Sequence, residues 1–411
     1  MYQNAALLAG CMLLYSAIAG RVERSWISGP ILFTCGGLLL GPHVLGVLSL
    51  DLAADGLRRL AELTLAMVLF TDAANADLGI VRRNLAIPER LLLIGLPLTI
   101  VLGFVVARIV FPWLAALEAA LLAAMLAPTD AALGMPVVSN RAVPASIRAA
   151  LNLESGLNDG ICVPVVVILL DLAVGTQIQG STMAHMARVV AEEIGIGLAT
   201  GLIITACTVR LLRVSDRAGW ASDRWLEVSA VGLAAACFAA AQAIGGSGFI
   251  ACFTGGLLLS ALRGERKHEL LRGAEATGES LALLTWVAFG ASVIGEVRYH
   301  LTWPVVLYAV LSLTLIRMLP VFISLAGARM SVAEKLFIGW FGPRGLASIV
   351  FGIIVLNEKL PGNDTMMAAV VCTVLISIVA HGMTATPLAG AMGAFHGSGT
   401  EPQSLAAGPE A

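Results

Sequence analysis

Four polar residues that could bind a cation or a proton occur together inside one apolar segment. Glu154, Ser155, Asn158 and Asp159 lie in residues 147–171, which are otherwise hydrophobic enough to cross a bilayer. Polar and ionisable groups at that depth are costly and usually belong to a functional site. In a helix, Ser155 and Asp159 share one face, and Glu154 and Asn158 share the adjoining face. The first face suits a small cation, and the second suits a buried arginine.

The preceding apolar segment contains a second candidate site at Pro128-Thr129-Asp130. Proline lacks a backbone N–H and clashes with the preceding turn, so the helix should open here. Opened backbone survives at membrane depth only where it lines a cavity or is buried in protein. Carbonyl groups freed near Thr129 and the Asp130 carboxylate would then supply hard oxygen ligands. Two simpler alternatives are a proline kink that Asp130 merely caps, and a polar seam in which the groups of 147–171 satisfy one another.

Two arginines also lie inside apolar segments, and an arginine at that depth needs a partner. Arg344 lies in a Gly-Pro-Arg-Gly break, and we expect it to pair with Glu154 and stabilise the crossing of two broken helices. Arg317 precedes Pro320, and we expect it to satisfy carbonyl groups that this proline frees. Both arginines should be structural, since a cation repels a cation.

The Asp130 and Asp159 carboxylates predict a site at which a proton and a metal cation compete. Burial disfavours the charge of both groups, and neighbouring carboxylates repel each other. A proton or a cation relieves this repulsion, but one site cannot hold both. Competition combined with access from alternating sides is exchange. Because Asn158 adds no second titrating charge, the sequence predicts electroneutral 1:1 exchange.

The elements that must position these residues are membrane-spanning helices. The 411-residue chain is 58% hydrophobic, has a mean hydropathy of +0.89 and contains only 13% charged residues, whereas soluble domains contain about 25%. We therefore expect an all-α polytopic membrane protein. The net charge of −2 and the lack of basic runs give no reason to expect nucleic acid as a partner. The nucleotide-binding motif G-x-x-x-x-G-K-[ST] is absent from the sequence.

About thirteen segments are long enough to span the hydrocarbon core. The predicted spans are 5–19, 27–41, 58–76, 90–110, 114–139, 147–171, 185–212, 225–243, 248–262, 268–294, 301–327, 332–356 and 366–388. Gly36-Gly-Leu-Leu-Leu40 recurs as Gly255-Gly-Leu-Leu-Leu259, seven predicted spans later, a shift that reverses direction through the membrane. This echo predicts the inverted repeats that are typical of transporters.

The predicted domain organisation follows from these spans. A transmembrane cation/proton exchanger domain occupies 1–396, with inverted repeats over about 1–175 and 220–396 and a linker helix at about 185–212. The Gly/Ala/Pro/Glu-rich residues 397–411 predict a short disordered cytoplasmic tail. Most of the 25 Lys and Arg residues fall in loops on one side. That side should be cytoplasmic, which places the N-terminus outside and the C-terminus inside. We expect the protein in the cell (inner) membrane.

Three motifs, in this order, resemble sodium–proton antiporters of the NhaP/NHE type. They are Pro128-Thr-Asp130, Glu154-Ser-x-x-Asn158-Asp159 and Gly-Pro-Arg344-Gly. The Asn-Asp pair is similar to that of the electroneutral branch of the monovalent cation:proton antiporters. The resemblance implies an NhaA/NhaP-like fold with two crossed unwound helices, a homodimer in the lipid bilayer, Na⁺ (or Li⁺) and H⁺ as transported ions, and no cofactor. It implies Na⁺ ligands at Thr129 (carbonyl), Asp130, Ser155 and Asp159, with Glu154 close by and Asn158 and Arg344 holding the helices.

The acidic site also bears on three alternative functions. A K⁺/H⁺ antiporter of the same fold stays an open alternative, because ligand count and cavity size set cation selectivity. An intramembrane aspartyl protease would use two aspartates that share a proton, but Gly156-Leu-Asn-Asp159 lacks the second glycine of a G-x-G-D signature. An organic-anion carrier could share the inverted repeats, but the carboxylates favour a cation. We therefore predict a secondary active antiporter and not an enzyme.

Overall fold

The computed structural model describes residues 2–22, 28–48, 55–76, 86–175, 183–220, 222–263, 267–297 and 300–397. Every regular element in these ranges is helical, as the composition predicts. Residues 398–411, which make up nearly all of the predicted cytoplasmic tail, lie outside the described residues.

The helices are numbered here in chain order. They are α1 (Tyr2–Val22), α2 (Gly29–Leu40), α3 (Asp55–Asn75), α4 (Ala86–Arg90), α5 (Leu96–Val110), α6 (Ala116–Met125), α7 (Ala131–Val138), α8 (Ala145–Gly175), α9 (Met183–Arg217), α10 (Asp223–Ala243), α11 (Gly248–Arg263), α12 (Lys267–Ala288), α13 (Ile294–Val297), α14 (Trp303–Leu313), α15 (Leu315–Ser324), α16 (Val332–Trp340), α17 (Leu346–Asn357) and α18 (Asn363–Gly397). Short π-helical turns at Leu91–Gly95 and Phe289–Val293 join α4 to α5 and α12 to α13.

Every predicted span overlaps one or more of these helices. Within the described residues, eight helical stretches are long and apolar enough to cross a membrane, and four shorter apolar helices accompany them. The number thirteen stays a prediction, as do the inverted repeats. Two predicted spans, 114–139 and 332–356, are each divided into two half-helices, α6 with α7 and α16 with α17.

Two groups of helices can be distinguished by their packing. The site bundle consists of α5 to α8 and α14 to α18, and the scaffold consists of α2, α3 and α9 to α12. Helices α8 and α17 of the site bundle contact α3 of the scaffold. Small residues allow close approach inside the scaffold. A Cβ atom on Gly256 of α11 would lie 2.4 Å from the carbonyl oxygen of Phe70 in α3, and one on Gly201 of α9 would lie 2.3 Å from that of Ala251 in α11.

Candidate ion site

The candidate site lies where the two interrupted helices meet. Residues 126–130 separate α6 from α7, and residues 341–345 separate α16 from α17. The two connecting segments are bonded to each other, because the backbone N–H of Asp130 donates to the carbonyl oxygen of Pro343 at 2.8 Å. Two crossed unwound helices are therefore present, at the breaks that Pro128 and the Gly-Pro-Arg-Gly motif predicted.

Asp130 caps two half-helices at once. Its Oδ1 accepts the N–H of Leu133, in the first turn of α7, at 2.9 Å. Its Oδ2 accepts the N–H of Leu346, the first residue of α17, at 2.7 Å. A carboxylate is favourable at a helix N-terminus because it accepts unsatisfied N–H groups and complements the helix dipole. A Cβ atom on Gly345 would lie 2.1 Å from Oδ2, so a glycine is needed there. The capping alternative describes Asp130 only in part, since the side chain also joins the two breaks.

The Arg344 side chain satisfies carbonyl groups freed at the first break. Nη1 of this fully buried residue donates to the carbonyl oxygen of Ala127 and to that of Pro128, the latter at 2.9 Å. Its backbone N–H donates to Oγ of Ser377 in α18 at 2.7 Å. Arg344 thus holds the first break from the middle of the second.

The predicted pairing of Arg344 with Glu154 is wrong. Glu154 instead pairs with Arg317 of α15, through Nη1 to Oε1 at 2.5 Å and Nη2 to Oε2 at 2.8 Å. The prediction that Arg317 satisfies carbonyl groups is wrong for the same reason, since both terminal nitrogens point to Glu154. The two arginines have exchanged the predicted roles because Arg344, within the crossing itself, lies next to the freed carbonyl groups of Ala127 and Pro128.

The polar face of α8 is tied to the first break through Thr129. Oγ1 of Thr129 lies 3.0 Å from Oγ of Ser155, and Nδ2 of Asn158 donates to the same Oγ1 at 2.6 Å. All three side chains are buried. The shared helix face predicted that Asn158 and Glu154 would hold one arginine together. Asn158 instead binds Thr129, and only Glu154 binds an arginine. These contacts also oppose the polar-seam alternative, because the groups of α8 bind other segments rather than one another.

At the crossing, the Asp159 carboxylate has one oxygen atom that accepts no hydrogen bond from the described residues. The residue is only 5% exposed, and its Oδ1 has no hydrogen-bond partner among the described residues. Asp72 and Asp130 act on it electrostatically, with Arg344 as an opposing positive charge. A buried carboxylate with a free oxygen is costly unless it binds a proton or a cation. Asp159 therefore has the environment that the proposed competition requires.

Asp72, on α3 of the scaffold, is the third carboxylate near this site. A Cβ atom on Gly156 of α8 would lie 3.8 Å from the Cβ of Asp72. One turn later, Nδ2 of Asn75 donates to Oε1 of Glu275 at 2.7 Å. The sequence alone is compatible with Asp72 and Glu275 lining a cytoplasmic funnel or lying near helix ends. Asp72 was one acidic residue in an apolar run, and nothing in the sequence indicated that α3 packs against α8.

His381 of α18 supports the second break. Its Nε2 lies 2.9 Å from the carbonyl oxygen of Trp340, the last residue of α16. Its Nδ1 lies 2.9 Å from the carbonyl oxygen of Ser377, whose hydroxyl accepts the backbone N–H of Arg344. In the sequence, His381 is a lone polar residue in an apolar span, which indicates only a contact between helices or a position at the membrane interface.

Two neighbouring cavities lie between the crossing and the end of α7. Val138 and Asn152 line both of them. The inner cavity reaches Ser155 and has a volume of about 10 Å³, which is room for about one water molecule. The outer cavity reaches Arg148 and has a volume of about 380 Å³. Both cavities lie on the side of the crossing at which α7 ends and α8 begins.

Comparison with known proteins identifies the relatives of this chain. The family model described as "Sodium/hydrogen exchanger, transmembrane" matches residues 7–391. The K(+)/H(+) antiporter NhaP of Alkalimonas amylolytica is 25% identical over 93% of this chain and 66% of its own length. The K(+)/H(+) antiporter NhaP2 of Shewanella sp. strain ANA-3 is 23% identical over 93% of this chain and 65% of its own length. The chain thus spans slightly less than two thirds of these relatives.

A solved structure shares the fold. The sodium proton antiporter MjNhaP1 of Methanocaldococcus jannaschii, determined at pH 8, superposes with a TM-score of 0.78 at 20% identity, covering 92% of this chain and 98% of the other. The structural likeness, the family match and the apolar helices together establish an all-α, multi-span membrane protein of NhaP-like fold.

Proposed function

Because this chain belongs to the sodium/hydrogen exchanger family, we propose that it is a secondary active antiporter that exchanges a monovalent cation for H⁺. The observation that carries the proposal is the environment of Asp159, which is buried beside Asp72 and Asp130 and has one oxygen without a partner. A proton or a cation neutralises this excess of negative charge, and occupancy by one excludes the other. No covalent step is needed, so the protein acts as a transporter and not as an enzyme.

The proposed cation ligands are the Asp159 and Asp130 carboxylates, the Ser155 hydroxyl and the Thr129 carbonyl group. Both Asp130 oxygens accept backbone N–H groups, but a carboxylate has about four acceptor positions, so ligand capacity remains. Both Glu154 oxygens are held by Arg317. We therefore assign Glu154 to positioning α8 beside the cation.

The proposed charge-compensating residues are Arg344, Arg317 and Asn158. Arg317 neutralises Glu154. Arg344 donates to the carbonyl oxygen of Pro128, and Asn158 donates to the hydroxyl of Thr129, both at the first break. Because Asn158 carries no charge in any protonation state, one carboxylate's proton is exchanged for one cation. We propose electroneutral 1:1 exchange on this basis. Exchange driven by an imposed membrane potential in proteoliposomes would contradict that stoichiometry.

The proposed cation is Na⁺ or Li⁺, and K⁺ is the second candidate. Hard oxygen ligands fit all of these cations. The names of the curated relatives from Alkalimonas and Shewanella favour K⁺, whereas the name of the Schizosaccharomyces pombe relative, a probable Na(+)/H(+) antiporter that is 23% identical, favours Na⁺. The test is a pH-dye exchange assay in proteoliposomes with Li⁺, Na⁺ and K⁺ added in turn. The proposal predicts alkalinisation or acidification with one or more of these cations, and no pH change with any of them would contradict it.

The proposed assembly is a homodimer in the cell (inner) membrane, with the Arg-rich loops in the cytoplasm and the N-terminus outside. Helix α1 supports a partner or lipid contact, because none of its residues is buried within the single chain. Its exposed apolar side chains include Leu13, Leu14 and Ile18. Cysteine crosslinking along α1 in membranes tests the dimer. Reagents that cannot cross the membrane, applied to each side, test the orientation.

A further inference from the structure

Helix α18 contacts both ends of the second break through two side chains on one face. The break separates Trp340, the last residue of α16, from Leu346, the first residue of α17. Ser377 and His381 lie four residues apart in α18 and therefore share a face of that helix. Both side chains are buried. Each of them contacts one end of the break, so together they span it.

The hydroxyl of Ser377 holds the end of the break that leads into α17. Its Oγ accepts the backbone N–H of Arg344 at 2.7 Å. Residues 341–345 are not helical, so this N–H has no acceptor within a helix. A buried N–H group without a partner is costly. Ser377 supplies the partner from a continuous helix, and it thereby fixes the position of the Arg344 backbone.

The imidazole of His381 holds the end of the break at which α16 ends. Its Nε2 lies 2.9 Å from the carbonyl oxygen of Trp340. Because a carbonyl oxygen can only accept, Nε2 carries a hydrogen. Nδ1 lies 3.2 Å from Oγ of Ser377 and 2.9 Å from its carbonyl oxygen. The ring therefore joins Trp340 to Ser377 whichever of these two oxygens Nδ1 binds.

The Arg344 side chain carries this restraint to the ion site. From the backbone that Ser377 holds, Arg344 reaches the carbonyl oxygens of Ala127 and Pro128, the two residues before Thr129. A shift of the Arg344 backbone would move these carbonyl groups or break their hydrogen bonds. The Thr129 carbonyl group is one of the proposed cation ligands. Its position therefore depends on α18, although none of the proposed ligands lies on that helix.

We propose that Ser377 and His381 are positioning residues of the ion site, which set its affinity for the cation through Arg344 without contacting the cation. This inference rests on the proposed function. Ligands that are already held in place bind more tightly, because less ordering is needed on binding. Loss of either contact should weaken cation binding about threefold to tenfold, the size expected for one buried hydrogen bond. The maximal exchange rate should change less, because Asp159 and the other ligands are unchanged.

The test measures cation binding and exchange by the full chain. Calorimetry in detergent gives the affinity for Li⁺, Na⁺ and K⁺, and proteoliposomes give KM and the maximal rate. Ser377→Ala removes the hydroxyl that Arg344 uses. His381→Asn keeps an amide near the position of Nδ1 but is too short to reach Trp340. We expect both variants to bind the cation more weakly, with KM raised by a larger factor than the maximal rate falls.

A conservative variant separates positioning from general loosening of the fold. In His381→Gln the amide lies near the position of Nε2 and can donate to the carbonyl oxygen of Trp340, so most of the affinity should be retained. The matched control is Thr373→Val. Thr373 is buried one turn earlier in α18, and its hydroxyl donates to the carbonyl oxygen of Ala369 in the same helix. This variant should bind the cation like the unmodified protein.

Unchanged affinity in both Ser377→Ala and His381→Asn would overturn the proposal. A loss in His381→Gln as large as that in His381→Asn would overturn it as well. If Ser377→Ala fails to fold, as thermal unfolding would show, the two substitutions of His381 make the same test. Failure of the proposed function is distinguishable, because the unmodified protein would then bind none of the three cations and exchange none of them for protons.

Discussion

Arg317 and Glu154 form a bidentate ion pair inside the membrane-spanning bundle, with both side chains only 2% exposed. The pair joins α15 to α8, the helix that carries Ser155 and Asp159. Pairing is the condition under which a buried charge is tolerated, because an unpaired one bears the full cost of desolvation. The pair therefore fixes the position of α8 relative to the crossing, although neither residue belongs to the break itself.

The first prediction concerns this ion pair. Glu154→Gln leaves the Arg317 guanidinium buried and uncompensated, and should destabilise the folded protein by about 3–5 kcal/mol. Arg317→Met alone should cost a similar amount. The double variant removes both charges and should be clearly more stable than either single variant. Thermal unfolding in detergent measures all three. Additive losses in the double variant would contradict a direct pair.

The second prediction separates Asp159 from Asp130. Asp159→Asn should abolish exchange with little change in unfolding temperature, because Oδ1 accepts no hydrogen bond among the described residues. Asp130→Asn should impair exchange and also lower stability by about 1–2 kcal/mol, since an amide group cannot accept both capping N–H groups. Exchange and unfolding assays on the same preparations check this difference. Equal stability losses in the two variants would speak against the double cap.

The third prediction concerns the contact between the two breaks. Gly345→Ala places a methyl group where Oδ2 of Asp130 now lies, so α17 and Asp130 must separate and the cap on Leu346 is lost. We expect strongly reduced exchange. Gly232→Ala in α10 is the control, because a Cβ atom there meets no atom within 4 Å. Normal exchange by Gly345→Ala would show that the crossing tolerates a wider separation.

The fourth prediction concerns the cavity that leads to Ser155. Gly134 of α7 lines the inner cavity, and a Cβ atom there meets no atom within 4 Å. Ala at this position should therefore fit the fold, whereas Val and Leu are larger than this cavity of about 10 Å³ and should block it, so the exchange rate should fall in that order. The same series at Gly195 of α9, which also has open space around it, should leave exchange unchanged. Rates that are independent of side-chain size at Gly134 would place the access route elsewhere.

The sequence predicted the features that depend on local physical chemistry. Pro128 and the Gly-Pro-Arg-Gly motif placed both helix breaks, because proline and glycine act on their own backbone. The spacing of Glu154, Ser155, Asn158 and Asp159 indicated which side chains share a helix face. Apolar length located the helical segments.

Partner choice between distant segments could not be derived from the sequence in the same way. Either Arg317 or Arg344 could neutralise Glu154, and only the position of α15 within the site bundle decides between them. Asp72 and His381 were isolated polar residues whose importance depends on which helices pack beside them.

Competition of a proton and a cation for Asp159 is tested most directly by proton release from the purified protein. A pH indicator in weakly buffered detergent solution records protons released when Li⁺, Na⁺ or K⁺ is added, and a calorimeter records the cation bound. We predict about one proton released for each cation bound in the unmodified protein, and neither signal in Asp159→Asn. Cation binding without proton release, or unchanged release by Asp159→Asn, would contradict the account.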